Sequence, residues 1–271
     1  MNEMTREKLC ARIGLPFSYA QMGKVPEEKE RFLWRLFEDD EKAFYHALEQ
    51  EETPYQTALY LYVKWGAQAY ASYKEAGISD EVYYDTFRDL EIWCDHCIRE
   101  TGRPGMKQYT WTSLPLKRKI YRLGRLQYEP GVFREPVEYE GRTYLPGSAA
   151  LEVHIPEGEP LDPEKVEESF ARARTFFTDT VPFAAEGFFC ESWLLSPKLK
   201  QLLPEGANIL RFQDNFFVYG EIDARQAEER VFGKVLEDIR DYPEETSLQK
   251  SLKQYLEQGG KVGMGCGFIP F

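Results

Sequence analysis

Apolar residues recur at three- and four-residue spacing through the first part of the chain. Between Glu27 and Glu49 they fall at Phe32, Leu33, Leu36, Phe37, Phe44 and Leu48, and between Thr53 and Ala76 at Leu59, Val63, Ala67 and Tyr70. That is the period of an amphipathic helix with one face turned to a core. Gly77 follows Lys74-Glu75-Ala76 as a helix stop, and Ser79 stands before Asp80-Glu81 as the N-cap of the next helix, which the pattern carries towards Ile98. Thr101-Gly102-Arg103-Pro104-Gly105 then breaks the pattern. The spacing predicts an all-helical first half.

After one further segment, Tyr109 to Lys119, the period shortens to two. Ile120 to Tyr128 reads as one strand ended by Glu129-Pro130-Gly131. Val137-Glu138-Tyr139 and Arg142-Thr143-Tyr144-Leu145 flank Glu140-Gly141 as a hairpin, and Leu151 to Ile155 is another strand closed by Pro156-Glu157-Gly158. A helix from about Asp162 to Phe177, a strand near Gly187 to Trp193, a short helix near Pro197 to Leu203 and two strands around Ile209 to Ile222 are expected next. Helices over about Ala224 to Arg240 and Thr246 to Gln258 precede a last strand, Lys261 to Phe268. The fold class is α+β: an all-helical domain, then a mixed, mostly antiparallel sheet with flanking helices. The boundary falls between Gly105 and Ile120.

Charge narrows the partners. The 271 residues carry 34 Lys plus Arg against 46 Asp plus Glu, a formal net charge of −12. Such a chain lacks the basic surplus with which a nucleic-acid module neutralises phosphates. No apolar run approaches the roughly 20 residues of a membrane helix, and Met1 to Arg6 lacks the apolar core of a signal peptide. The expectation is a soluble, cytoplasmic protein with neither nucleic-acid nor membrane partners. A hydrophobic fraction of 42% with 15% aromatic residues is ample for the cores of two domains. Five cysteines, an odd number spread over a long chain, read as reduced thiols.

Several residues could carry chemistry. Along Leu151-Glu152-Val153-His154-Ile155, alternation turns Leu151, Val153 and Ile155 to one face and Glu152 with His154 to the other. This puts a titratable pair on one side of an otherwise apolar strand, which is either an acid–base site or a hydrogen-bonded polar edge. In Phe188 to Trp193, Cys190 and Ser192 share one face and Glu191 the other; Cys190 is either a nucleophile or a small buried packing residue. Lys117-Arg118-Lys119, Arg122 and Arg125 form the one basic run. Cys94-Asp95-His96-Cys97 has no second ligand pair with which to complete a zinc site, so no metal is expected. Gly263, Gly265 and Gly267 strip one face of the last strand, which admits a close neighbour. No Gly-x-Ser-x-Gly elbow accompanies Ser192 or Cys190 with His154, which weakens a hydrolytic reading.

The order of elements, with Tyr121 to Tyr128, Val153-His154-Ile155-Pro156, Ser192 to Pro197 and Asn208 to Phe212, resembles a family of bacterial two-domain acyltransferases. Its members join a helical N-acyltransferase N-terminal domain, here 1–117, to a GNAT-like C-terminal domain, here 118–271. The resemblance covers nearly the whole chain. It implies transfer of an acyl group from acetyl-CoA or a longer acyl-CoA to a small-molecule amine acceptor. It implies His154 as general base with Glu152 assisting, and a thioester channel bordered by Ile155, Cys190 and Ser192. Arg122 and Arg125 would then receive a CoA phosphate, or else pair with carboxylates of the helical half. One departure favours an alternative, a catalytically degenerate GNAT-like protein that binds a small molecule or partner. The stretch Glu157 to Glu164 is acidic and lacks the glycine signature with which GNAT enzymes cradle pyrophosphate, although a helix N-terminus there still offers N–H groups.

Overall fold

Two units, each with its own core, make up the chain. One comprises the residues up to Gln127 together with Pro156–Gly158, the other Tyr128–Ile155 with Glu159–Phe271. The structure is a computed structural model that describes residues 4–271. Residues 1–3, where the expected helical domain begins and part of the stretch read for a signal peptide falls, lie outside the described residues.

The first unit is helical, as its period predicts. It contains α1 (Arg6–Ile13), α2 (Glu27–Asp39), α3 (Glu41–Glu49), α4 (Pro54–Glu75), α5 (Asp80–Phe87), α6 (Asp89–Thr101) and the single turn α7 (Tyr109–Thr112). The side chains of Thr5, Asp40 and Ser79 cap α1, α3 and α5. The single helix expected from Ser79 to Ile98 is instead two helices meeting at Arg88, which closes α5 and opens α6. Long α4 is the axis of the core, where Trp34, Phe37, Phe44, Tyr62 and Trp65 pack as one ring cluster. The buried tyrosines spend their hydroxyls on main-chain carbonyls: Tyr62 on Tyr109 at 2.9 Å, Tyr73 on Pro115 at 2.8 Å and Tyr83 on Gly66 at 2.8 Å. Among the described residues no helix is long and apolar enough to cross a membrane.

Strand β1 (Tyr121–Leu123) leads into β2 (Leu126–Val132), and the division between units falls inside β2. Here the structure corrects the reading of Ile120 to Tyr128 as one strand. Gly124 adopts φ 83 and turns the chain. Strand β2 then runs through Glu129-Pro130-Gly131, where the turn signal predicts a stop. It outlasts three-residue β1, so Pro130, which has no N–H, sits where no β1 residue needs one.

The second unit continues with the hairpin β3 (Val137–Tyr139) and β4 (Arg142–Tyr144), then β5 (Ala149–His154), α8 (Pro163–Asp179), β6 (Gly187–Ser192), α9 (Leu199–Leu202), α10 (Asn208–Gln213), β7 (Phe217–Ile222), α11 (Gln226–Phe232), α12 (Ser247–Glu257) and β8 (Met264–Pro270). The main sheet runs β1-β2-β5-β6-β8-β7. Strand β6 is parallel to β5 and antiparallel to β8, which is antiparallel to β7. The first of the two strands expected over Ile209 to Ile222 is α10. Its six residues are too short for period to separate helix from strand, and Phe212 and Gln213 are buried as helix residues. The helix expected to Arg240 ends at Phe232 because Gly233 takes φ 78, and the last strand begins at Met264 rather than Lys261. The bare glycine face of β8 receives the turn Trp193–Leu195: a Cβ on Gly265 would meet the Leu195 carbonyl oxygen at 2.2 Å.

Candidate functional site

The register of β5 against β6 decides which side chains meet. Leu151 pairs with Phe188 and Glu152 with Phe189, and there the pairing ends, although β5 continues to His154 and β6 to Ser192. Two parallel strands that part at their C-terminal ends leave a wedge between them. Because neighbouring residues in register share a face, Glu152 and His154 lie on the face of Phe189 and Glu191. Leu151 and Val153, both buried, lie on the face of Phe188, Cys190 and Ser192.

The polar face is a connected group. Strand β2 brings Glu129, whose Oε2 stands 3.5 Å from His154 Nε2. Arg134, just beyond β2, places Nη1 3.1 Å from Glu191 Oε2 and Nη2 3.6 Å from Glu152 Oε2. His154 and Glu152 retain only 21% and 19% side-chain exposure. Burial pushes the Glu152 carboxyl above its ordinary value; Glu129 and Glu191 add to this, while His154 and Arg134 oppose it. One ligand atom each from Glu129, Glu152 and His154 falls within 4.8 Å of the others, the only such His, Cys and carboxylate group among the described residues. The Arg134 guanidinium supplies positive charge beside Glu152.

Comparison with known proteins then settles the family. Residues 120–269, more than half of the chain, match the family described as GNAT-like C-terminal domain, and residues 4–117 match the N-acyltransferase N-terminal domain. The chain belongs to this two-domain N-acyltransferase family. Solved structures of an acyltransferase in complex with decanoyl-CoA and teicoplanin, and in complex with CoA and 10C-teicoplanin, each resemble it at TM-score 0.79 and 24% identity over 98% of this chain and 87% of theirs. A further structure, with decanoyl-CoA, reaches TM-score 0.80 at 23% identity. At that identity the likeness establishes a shared fold. No curated protein matches.

Within the GNAT-like unit, the expected pair His154 and Glu152 is brought together, while Cys190 and Ser192 lie on the opposite face of the sheet. Cys190 is 1% exposed, and burial, followed by the charges of Glu152 and Glu191, pushes its thiol far up, which makes it a packing residue rather than a thiolate. Ser192 Oγ accepts from Leu194 N–H at 3.2 Å and so starts the turn that covers the β8 glycines. Ile155, half-buried, follows the end of β5. Arg122 and Arg125 are buried and hold main-chain carbonyls of the first unit: Arg122 Nε donates to Gly124 and Arg125 Nη1 to Pro156.

The acidic stretch after His154 is already engaged. Glu157, which belongs to the first unit, accepts from His96 Nε2 and from Arg99 Nη2 at 3.2 Å. The His96 bond, with Arg99, holds its carboxyl below the ordinary value against the opposing effect of burial. Asp162 caps α8, its carboxylate accepting from the N–H groups of Glu164 and Lys165. With His96 turned to Glu157, Cys94 and Cys97 remain buried on α6, and burial pushes the Cys94 thiol up to about 11. An open groove of about 600 Å³ on the helical unit, lined by Glu30, Trp34, Arg35 and Trp65 among others, offers no comparable acid–base group, since Glu30 is paired with Lys64.

Sequence reasoning missed Glu129, Arg134 and the involvement of Glu191. Strand alternation already put Glu191 opposite Cys190, and only the register with β5 was wanting. Glu129 was masked by the Pro130-Gly131 turn signal, and Arg134 sits in a loop where no period applies.

Proposed function

We propose that the protein is an acyl-CoA-dependent N-acyltransferase that moves an acetyl or longer acyl group from a thioester to a small-molecule amine. The observation that carries this reading is the His154 and Glu152 pair at the point where β5 and β6 part, in a chain of this family. In the reaction the amine nitrogen attacks the thioester carbonyl, the new C–N bond forms and the C–S bond breaks. His154 takes the proton that the nitrogen loses, and the CoA thiolate leaves and is protonated. Glu152 assists from the same strand face, its carboxyl raised above its ordinary value by burial. The wedge bordered by Ile155, Cys190 and Ser192 is where a thioester arm would lie. The acyl-CoA ligands of the structurally similar acyltransferase support the donor class, and its teicoplanin complex is consistent with a small-molecule acceptor. For Arg122 or Arg125 to meet a CoA phosphate, each guanidinium would have to leave its carbonyl partner. The reading needs no metal and suits a bacterial cytoplasm.

Calorimetry with acetyl-, octanoyl- and decanoyl-CoA tests the donor, and no binding across that series would sink the proposal. His154→Ala should keep donor binding and lose about 10²–10⁴-fold in turnover. A second reading, a degenerate binding protein, is favoured by one feature: the Asp162 carboxylate occupies N–H groups at the start of α8 where a pyrophosphate would otherwise be received. Ligand binding without turnover by the wild-type protein would favour it.

A further inference from the structure

The acid–base reading leaves open what fixes the His154 ring. A neutral imidazole has two tautomers, and a base works only if the nitrogen facing the substrate carries the lone pair. Nε2 is shut off from solvent and stands in ion-pair range of the Glu129 carboxylate at 3.5 Å, longer than a formed hydrogen bond and of the kind that tightens when substrate binds. Glu152, two residues along the same strand, has a carboxylate oxygen within 4.8 Å of the same group. Glu152 also faces Arg134, at 3.6 Å.

We propose that Glu129 is the positioning residue of this reaction, holding the His154 imidazole through Nε2. The proposal rests on His154 being the base. A carboxylate there selects the tautomer with the proton on Nε2 and stands beside the imidazolium once the ring is protonated; Nδ1 is then the atom that takes the proton of the amine. Glu129 from β2 faces the ring, and Glu152, on β5 itself, has a carboxylate oxygen within 4.8 Å of the same group; Arg134, from the segment after β2, pairs with Glu152 and with Glu191 of β6. The run of β2 through Pro130 therefore has a purpose at the site: a strand stopping at Tyr128 would not carry Glu129 alongside β5.

The test uses the full chain and three variants, Glu129→Gln, Glu129→Asp and His154→Ala. Histidine ¹⁵N spectra, with the His154 signal assigned by its loss in His154→Ala, should show the Nε2–H tautomer in wild type and a loss of that preference in Glu129→Gln. With decanoyl-CoA and an accepted amine, Glu129→Gln should lower kcat at least about tenfold, short of the 10²–10⁴-fold loss in His154→Ala, with KM for the donor within about twofold. Glu129→Asp should recover part of kcat. If His154→Ala is inactive while Glu129→Gln turns over like wild type, or if wild type shows the Nδ1–H tautomer, the role of Glu129 is overturned and His154 stands. If His154→Ala remains active, the general-base reading fails and the proposal fails with it. Should Glu129→Gln not fold, the wild-type tautomer and the Glu129→Asp kinetics decide.

Discussion

The guanidinium of Arg134 stands 3.1 Å from the carboxylate of Glu191. Its other terminal nitrogen reaches Glu152 at 3.6 Å, so one cation spans the two strands at the point where they part. Arg134 is 64% exposed, and such pairs contribute only about 0–1 kcal/mol. Its removal should therefore spare the fold and change the chemistry. In Arg134→Ala the Glu152 carboxyl, already raised by burial, loses an opposing cation and moves further up. The melting temperature should stay close to wild type, while the acid limb of kcat/KM against pH moves to higher pH. An unmoved limb would separate Glu152 from the working acid–base group.

Glu152 also makes a prediction about stability. Burial is the largest influence on it and raises its value in the folded state. Between the ordinary and the raised value, the folded chain keeps a proton that the unfolded chain has released. Stability from this group therefore falls as pH rises through that window, and the penalty is complete above it. Glu152→Gln removes the penalty and loses attractions to His154 and Arg134. The melting temperature of Glu152→Gln minus that of wild type should increase from about pH 4 to about pH 8. Thermal melts over that range check it; a difference that declines would mean that the attractions outweigh burial.

How much of this was legible in the sequence depended on whether the signal was local. The helical half follows from period and caps: Ser79 and Gly77 act in the structure as their residue types suggest, and Glu140-Gly141 closes the β3–β4 hairpin with both residues at positive φ. The pairing of His154 with Glu152 needed only strand alternation. Glu129 could not be found that way, because Pro130-Gly131 is a turn signal in isolation and becomes strand only where β2 has outrun β1. The segment Asn208–Gln213 has the same ambiguity, resolved by burial of Phe212 and by Gln213 Nε2 donating to the carbonyls of Leu194 and Ser196, contacts that no window of sequence contains.

Glu157 carries a prediction of opposite sign. The His96 hydrogen bond leads the influences that hold its carboxyl low, so its contribution to stability is present above the ordinary carboxylate range and lost as pH falls through the lowered value. The side chain is 51% exposed, which keeps the effect small, about 0–1 kcal/mol. Glu157→Gln should narrow towards wild-type stability as the solution is acidified. Because Pro156 is also held, by Arg125 at 2.9 Å, the segment directly after β5 is tied at two adjacent residues. Hydrogen exchange over residues 156–162 should rise in Glu157→Ala, and more so when Arg125→Ala is added.

Gly265 tests the packing that supports the site. A methyl group there would stand 2.2 Å from the Leu195 carbonyl oxygen, a main-chain atom that cannot rotate away, so β8 or the Trp193–Leu195 turn must move. Overpacking of this kind costs about 1–3 kcal/mol. Gly259 is a control: it has φ 83 with nothing near its missing side chain, so Gly259→Ala pays only backbone strain, about 1 kcal/mol. Strand β8 pairs Gly265 with Ser192 and Cys266 with Glu191, so displacement at Gly265 is passed to the residue that Arg134 holds. Gly265→Ala should therefore lower both the urea midpoint and kcat, whereas Gly259→Ala should lower the midpoint alone. Equal kcat in the two variants would show that the register of β8 against β6 does not position Glu191.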